Sequence, residues 1–292
     1  MTTRYEETFP SGPALDALVA RSLDEDVGPG DASTAVTVDP ARRGRAVIRA
    51  RQAGVVAGLP ILDALFGRLD PAVVVERLVP DGARLEPGQD AAVLTGPAAS
   101  LLTGERTALN FLQHLGGIAT LTARYVEAVS GTRCRVLDTR KTLPGYRALA
   151  KYAVRCGGGH NHRMGLYDRI MLKDNHWASA AGSLADLVAR SRRDYPDLAV
   201  EVEVDDLEQF DLVLGLGVEW ILLDNYSVED TAEAVRRRDA AGSATLLESS
   251  GNVDLDSIGR YARAGVDAAS VGRLTHSAPA LDLGMDMELE RA

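Results

Sequence analysis

Two cysteines in 292 residues, Cys134 and Cys156, set the first limit on this chain. They form no CxxC pair and stand in no zinc-type spacing with histidine, which argues against a structural zinc site. Both read as small buried apolar residues. No run of about 18 apolar residues offers a membrane span. The start, MTTRYEETFPSGP, is polar and acidic, unlike a secretory or transit peptide, so a soluble cytoplasmic protein is expected. A pI near 5.1 and the lack of a broad basic face argue against nucleic acid. No repeat or low-complexity segment occurs, and no GxGxxG opens a βα unit, which counts against a dinucleotide-binding sheet.

What the chain does have is one cationic stretch, Asp138 to His176. It holds eight of the 32 Lys and Arg residues and three of the 42 Asp and Glu residues. Its net charge of +5 sits within a total of −10, leaving −15 for the rest. Cations gathered beside three consecutive glycines and three histidines indicate a pocket for a small, multiply anionic ligand.

Around that stretch the pattern changes character once. Residues 13 to 25 have helical periodicity, followed by short strand-like runs at 44–51, 54–57, 73–79 and 91–94, a helix at 60–69 and a longer helix at 98–115. The pair Gly116–Gly117 is the expected boundary, giving an N-terminal domain over 1–116 and a second over 117–274. The amphipathic tail, 275–292, is expected to pack back on the first. Beyond the boundary, strands expected at 135–137, 170–172, 200–204, 220–223, 245–247 and 268–271 alternate with helices at 121–129, 147–154, 184–193, 207–214, 229–240 and 255–264. Spacings of this kind fit right-handed βα units. Polar groups or glycine follow each strand: Asp138 to Lys141, Lys173 and Asp174, Glu203, Asp224 and Asn225, Glu248 to Gly251, and Gly272. A parallel α/β barrel gathers such positions at one mouth.

The chemistry of these residues is that of anion recognition. Arg106, Arg140 and Arg163 supply planar guanidinium forks for carboxylate or phosphate, and Lys141 and Lys173 add compact charges. His162, flanked by His160 and His176, is a candidate carboxylate donor. In EVEV the period of two turns Glu201 and Glu203 to one face; the bland reading is a solvated face, the barrel reading a face that brings Glu203 opposite Asp224. Two carboxylates there suit Mg2+ bridging to phosphate, or hydrogen bonds to sugar hydroxyls. Late loops with Ser250, Gly251 and Gly272 offer backbone N–H groups to a phosphate. Lys173 also fits a Schiff-base nucleophile of the barrel aldolase kind, and a barrel that only senses anions is a third reading.

Taken together, EDVGPGDAST, ERTALNFLQHLGGIATLT, the whole cationic stretch, EVEVDDLEQ, LLDN, LESSGNV and SVGRLTHS resemble, in order and over almost the full length, the type II quinolinate phosphoribosyltransferases. Asn252 and Arg273 depart from the family's usual small residues. The resemblance implies an α/β fold, with an N-terminal α/β sandwich and an irregular open, TIM-like α/β barrel. It implies a homodimer with shared active sites, and an Mg2+-dependent pentosyltransferase converting quinolinate and phosphoribosyl pyrophosphate to nicotinate mononucleotide, pyrophosphate and CO2 in de novo NAD biosynthesis. By the same likeness, Arg106 from the neighbouring subunit joins Arg140, Lys141, His162, Arg163 and Lys173 around the two carboxylates of quinolinate. Glu203 and Asp224 address ribose and Mg2+, and Ser250, Gly251 and Gly272 hold the 5-phosphate. Lys141, Lys173, Glu203 and Asp224 are the expected catalytic set. A related phosphoribosyltransferase-like protein of the molybdenum-transport type is the near alternative.

Overall fold

The computed structural model describes residues 8–173 and 182–290; Asp174 and His176 lie outside the described residues. The chain forms two compact units, one from residues 8–123, 143–158 and 275–290, the other from 124–142 and the described part of 159–274.

In the first unit, α1 (Pro13–Asp26) starts with proline in its first turn and buries Leu15, Val19 and Leu23, spaced four apart on one face. Asp31 caps the short α2 (Ala32–Thr37) by accepting from the Thr34 N–H at 3.0 Å. Next come β1 (Arg43–Ala50), β2 (Gly54–Val55), α3 (Ile61–Leu69), β3 (Val74–Arg77), β4 (Arg84–Leu85), β5 (Asp90–Pro97) and α4 (Ala98–Ala128). The last strand, β12 (Leu283–Leu289), pairs antiparallel with β1, and the sheet runs β12-β1-β5-β3. Its core is apolar, with Ile48, Leu59, Ile61, Leu62, Leu65, Phe66, Leu94, Leu101 and Leu112 fully or almost fully buried. This is the α/β sandwich.

Two expectations need correction here. The pair Gly116–Gly117 does not end a helix: α4 runs straight through it for 31 residues. A Cβ at Gly117 would lie 2.1 Å from the Pro279 carbonyl oxygen, and one at Gly116 would lie 2.8 Å from the Leu281 side chain. The glycines are there so that the C-terminal segment can lie against the helix, not to break it. The helix expected at 147–154 forms as α5 (Arg147–Cys156), but it belongs to the sandwich unit. It buries Leu149, Ala150, Ala153 and Val154, and the Tyr152 hydroxyl donates to Asp81 at 2.7 Å.

The second unit is the parallel barrel. Its strands are β6 (Arg135–Leu137), β7 (Ile170–Leu172), β8 (Val200–Val204), β9 (Trp220–Asp224), β10 (Leu246–Ser250) and β11 (Ala268–Ser270). They alternate with α6 (Leu184–Asp194), α7 (Leu207–Leu214), α8 (Val228–Ala240), α9 (Ile258–Ala264) and α10 (Arg273–His276). The order is β6-β11-β10-β9-β8-β7, every pairing parallel. From β7 to β11 the winding never reverses, and β6 bonds to the last strand, the closing contact of a barrel. Among the described residues β6 and β7 do not pair, so the barrel is open on that side. β10 extends beyond the 245–247 expected: Glu248 sits opposite Leu222 and Ser250 opposite Asp224, so the ladder carries polar residues into the interior. No described helix is long and apolar enough to cross a membrane.

Crowded and open glycines should respond to alanine with opposite signs. Gly117→Ala meets a backbone oxygen and should cost about 1–3 kcal/mol of stability. Gly67→Ala, on α3 with open space around the added Cβ, should stabilise by about 0.5–1 kcal/mol. Chemical denaturation of both variants checks the sign as well as the size.

Candidate functional site

The carboxyl ends of the barrel strands surround a cavity of about 490 Å³. Arg140, Lys141, Arg163 and Lys173 line it together with Glu203, Asp224, Glu248, Ser250 and Gly251. A second cavity, about 440 Å³, lies in the sandwich unit between Leu59, Pro60, Leu78, Val79 and Tyr152. It gathers only Arg77 and Asp81 as charged groups, so the barrel cavity is the candidate site.

One buried carboxylate organises its cationic side. Asp138, fully buried at the end of β6, accepts from the His162 backbone N–H at 2.9 Å and from the Asn161 side-chain amide at 2.6 Å. His160 also bridges to Leu137, its N–H donating to Val136 O at 2.8 Å. The segment after the three glycines is thereby laid along β6 as a pseudo-strand, and His162 and Arg163 enter the barrel. Asp168 turns the chain beyond them by accepting from the Met164 and Gly165 N–H groups at 2.6 and 3.0 Å. Arg163 is only 8% exposed; burial first, and then the nearby guanidinium of Arg140, lower its pKa from the ordinary value. Two guanidiniums lining one cavity favour an anion between them.

Beneath the mouth lies a group whose partnership the sequence did not reveal. His162 Nε2 is 3.2 Å from Glu201 Oε2 and 3.4 Å from Glu248 Oε2, and Arg169 Nη1 is 3.2 Å from that same Glu201 oxygen. Arg169 in turn lies over the Trp220 ring, 5.1 Å from its centroid. Glu201 and Glu248 are 0% exposed. Two carboxylates, an imidazolium and a guanidinium sum to zero charge, as an ion cluster in a dry interior requires. The donor atoms of His162, Glu201 and Glu248 lie within 4.8 Å of one another, but the balance is already met by protons and Arg169. Burial works against the His162 charge, yet Glu248 and Glu201 outweigh it and push its pKa up to about 9. The Arg163 backbone N–H, 2.7 Å from Nδ1, favours the ring protonated on Nε2 alone, so charging the ring breaks that hydrogen bond while Glu248 and Glu201 favour the charge. Burial raises the Glu201 pKa less than His162 and Arg169 lower it, so the carboxylate is held well below the usual range.

Higher on the same strand, the Lys173 ammonium is paired with Glu203 Oε2. Both EVEV carboxylates do share a face, but neither is solvated in the bland sense: Glu201 is inside and Glu203 is at the mouth, while the valines pack on the other side. Lys173 is thus an ion-paired charge at the mouth. Asp224 ends β9 and Ser250 ends β10 beside it. Gly272 follows β11, two residues beyond the lining residue Ser270. Arg106 is exposed on α4 and is not a lining residue. Burial pushes the Cys134 and Cys156 thiols up to about 12, as inert residues should be.

Comparison with known proteins agrees with this geometry. The family descriptions "Quinolinate phosphoribosyl transferase, N-terminal domain" and "C-terminal domain" match residues 31–116 and 118–286. The chain belongs to the quinolinate phosphoribosyltransferase family. A nicotinate-nucleotide pyrophosphorylase (carboxylating) from Mycobacterium leprae is 48% identical over 274 residues, 92% of this chain and 95% of that protein. NadC from Streptococcus pyogenes has a structure similar at TM-score 0.90, with 40% identity over 97% of this chain and all of that one. The nicotinate-nucleotide pyrophosphorylase of Francisella tularensis superposes at TM-score 0.89 with 35% identity, covering 97% and 99% of the two chains.

The His162 cluster predicts a pH dependence. A folded-state pKa near 9 against an ordinary 6.5 means that the protonated ring contributes stability fully below about pH 6.5, lost as pH rises through 9. Denaturation midpoints measured from pH 6 to 10 should fall over that interval in the wild type. In His162→Gln the alkaline fall should be smaller.

Proposed function

We propose that this chain is a decarboxylating quinolinate phosphoribosyltransferase, joining quinolinate to the ribosyl group of phosphoribosyl pyrophosphate and releasing pyrophosphate and CO2. The observation that carries the reading is one cavity with Arg140, Lys141, Arg163 and Lys173 facing Glu203 and Asp224 at the ends of parallel strands. Four cations match a dicarboxylate and a polyphosphate; a substrate with one carboxylate would leave the cationic wall undercompensated.

The chemistry asks little covalent work of the protein. The pyridine nitrogen attacks ribose C1 with its own lone pair, and the electrons of the C1–O bond leave with pyrophosphate. Arg140 and Arg163 hold the two carboxylates and aim the ring nitrogen. Positioning of this kind can supply roughly 7–11 kcal/mol of the barrier. Glu203 and Asp224 lie where positive charge develops on the ribose ring and stabilise it. The alkylated ring is then a cationic electron sink: the bond from C2 to its carboxylate breaks, the electron pair stays in the ring, and a proton replaces CO2. Ser250, Gly251 and Gly272 receive the 5-phosphate through short side chains and backbone N–H groups.

Mg2+ fits the donor set. Asp224 and Glu203 are hard oxygen ligands, and one Glu203 oxygen is shared with Lys173. Two carboxylates suit an ion that completes its shell with substrate phosphates. When bound it supplies charge neutralisation of the leaving pyrophosphate. In this reading Arg106, exposed on α4, completes the quinolinate site from the other subunit of a homodimer.

Arg163→Ala should reduce quinolinate binding below calorimetric detection while phosphoribosyl pyrophosphate still binds; unchanged quinolinate affinity would remove the pocket assignment. Mixing Arg163→Ala with Arg106→Ala protein should restore some turnover through hybrid dimers, and none would return if each subunit worked alone. Asp224→Asn should lower kcat on the order of 100-fold with quinolinate affinity nearly kept, as single-turnover kinetics would read.

A further inference from the structure

Asn225 and Asn252 are the two non-glycine residues among those described with positive φ, 54° and 51°. Left-handed backbone at non-glycine positions is uncommon and is retained where the surroundings hold it. Both residues stand at the lining of the barrel cavity, just beyond the ends of β9 and β10. Their side chains form a chain of contacts: Asn252 Nδ2 donates to Asn225 Oδ1 at 3.3 Å, and Asn225 Nδ2 donates to Asp224 Oδ2 at 2.8 Å. The Asn225 backbone N–H donates to Ser250 O at 2.9 Å, tying the two strand ends together.

The direction of the contacts is fixed by what each atom can do. Turning the Asn225 amide over would set its NH2 against the Asn252 donor and its carbonyl against the Asp224 carboxylate, losing both bonds. Between the asparagines, Gly251 has φ 85°, and a Cβ there would lie 2.1 Å from Asn225 Oδ1. The space a side chain at 251 would fill is the space the Asn225 amide uses. Three consecutive features, a strained residue, a missing side chain and a second strained residue, therefore converge on one carboxylate oxygen.

We propose that Asn225 and Asn252 are positioning residues that set the rotamer of the Asp224 carboxylate through a hydrogen-bonded relay across the ends of β9 and β10. The inference rests on the reading of Asp224 given above and adds to it how that carboxylate is aimed. A freely rotating Asp224 would present its charge to ribose C1 in only part of its conformations, and misplacement by about 1 Å can cost on the order of 100-fold in rate.

The test uses substitutions that tolerate the backbone. Asn252→Gly keeps a left-handed φ without strain and removes only the amide. Asn225→Asp also tolerates that φ and keeps an acceptor for Asn252, but turns an oxygen toward Asp224 where the amide donated. A merely structural role predicts that both variants keep wild-type kinetics. The relay predicts that kcat falls on the order of 10- to 100-fold in Asn225→Asp and less in Asn252→Gly, with quinolinate KM and the unfolding midpoint unchanged. Apart from activity, a crystal structure of Asn252→Gly should show the Asp224 carboxylate rotated or spread over rotamers on an unmoved β9. An Asp224 in its original rotamer, or wild-type kcat in Asn225→Asp, overturns the relay. Asp224→Asn measured alongside separates the two levels. If it is slow while the asparagine variants are not, the relay alone falls; if it turns over like wild type, the role of Asp224 falls and the relay with it.

Discussion

Like charges cannot be packed into one cavity without counter-charge, and the barrel meets that constraint from within. Arg140, Arg163, Lys141 and Lys173 share one mouth, and the buried carboxylates behind and beside them determine how they can be arranged. Asp138 pins the segment that carries His162 and Arg163 to β6. Glu201 and Glu248 neutralise His162 and Arg169 in the interior, so that Arg163 above them can stay cationic although almost fully buried. Glu203 does the same for Lys173 at the rim. Removing one partner of such a cluster leaves an uncompensated buried charge, which costs far more than the intact pair contributes.

The parallel sheet turns that electrostatic arrangement into a reaction site. Each strand delivers its last residues to the same end, so groups more than a hundred positions apart in sequence, Arg140 and Ser250 among them, share a cavity of about 490 Å³. Cations collect at the ends of β6 and β7, the side proposed for the dicarboxylate. Carboxylates and small residues collect at β8 to β11, the side proposed for ribose and phosphate. In the proposed reaction that division lets the ring nitrogen approach ribose C1 opposite the departing pyrophosphate, as an in-line displacement requires.

Much of this was legible before any coordinates. Lys173 after IML and Asp224 after ILL stood out because an apolar run followed by a polar group marks the carboxyl end of a buried strand. The partnership of Glu201 with His162 was not legible. A period of two says which face a residue takes but not at which depth, and Glu201 and Glu203 differ only in depth. The polarity after Leu247 resembles a strand end, whereas the register of Glu248 with Leu222 shows the strand continuing. The Gly116–Gly117 pair marks where the two family domains meet but misleads about the end of the helix, for a related reason. Glycine signals both broken helix and close approach, and only the position of Pro279 against Gly117 tells which. The left-handed Asn225 and Asn252 left no local signal stronger than a turn.

The central claim is that the cavity selects a pyridine dicarboxylate and removes one of its carboxylates. It is tested most directly by supplying the purified protein with phosphoribosyl pyrophosphate, Mg2+ and either quinolinate or nicotinate, and measuring CO2 and nicotinate mononucleotide together. The account predicts equal amounts of both products from quinolinate and negligible nucleotide from nicotinate. Comparable nucleotide from nicotinate, or tight quinolinate binding with no product, would contradict it.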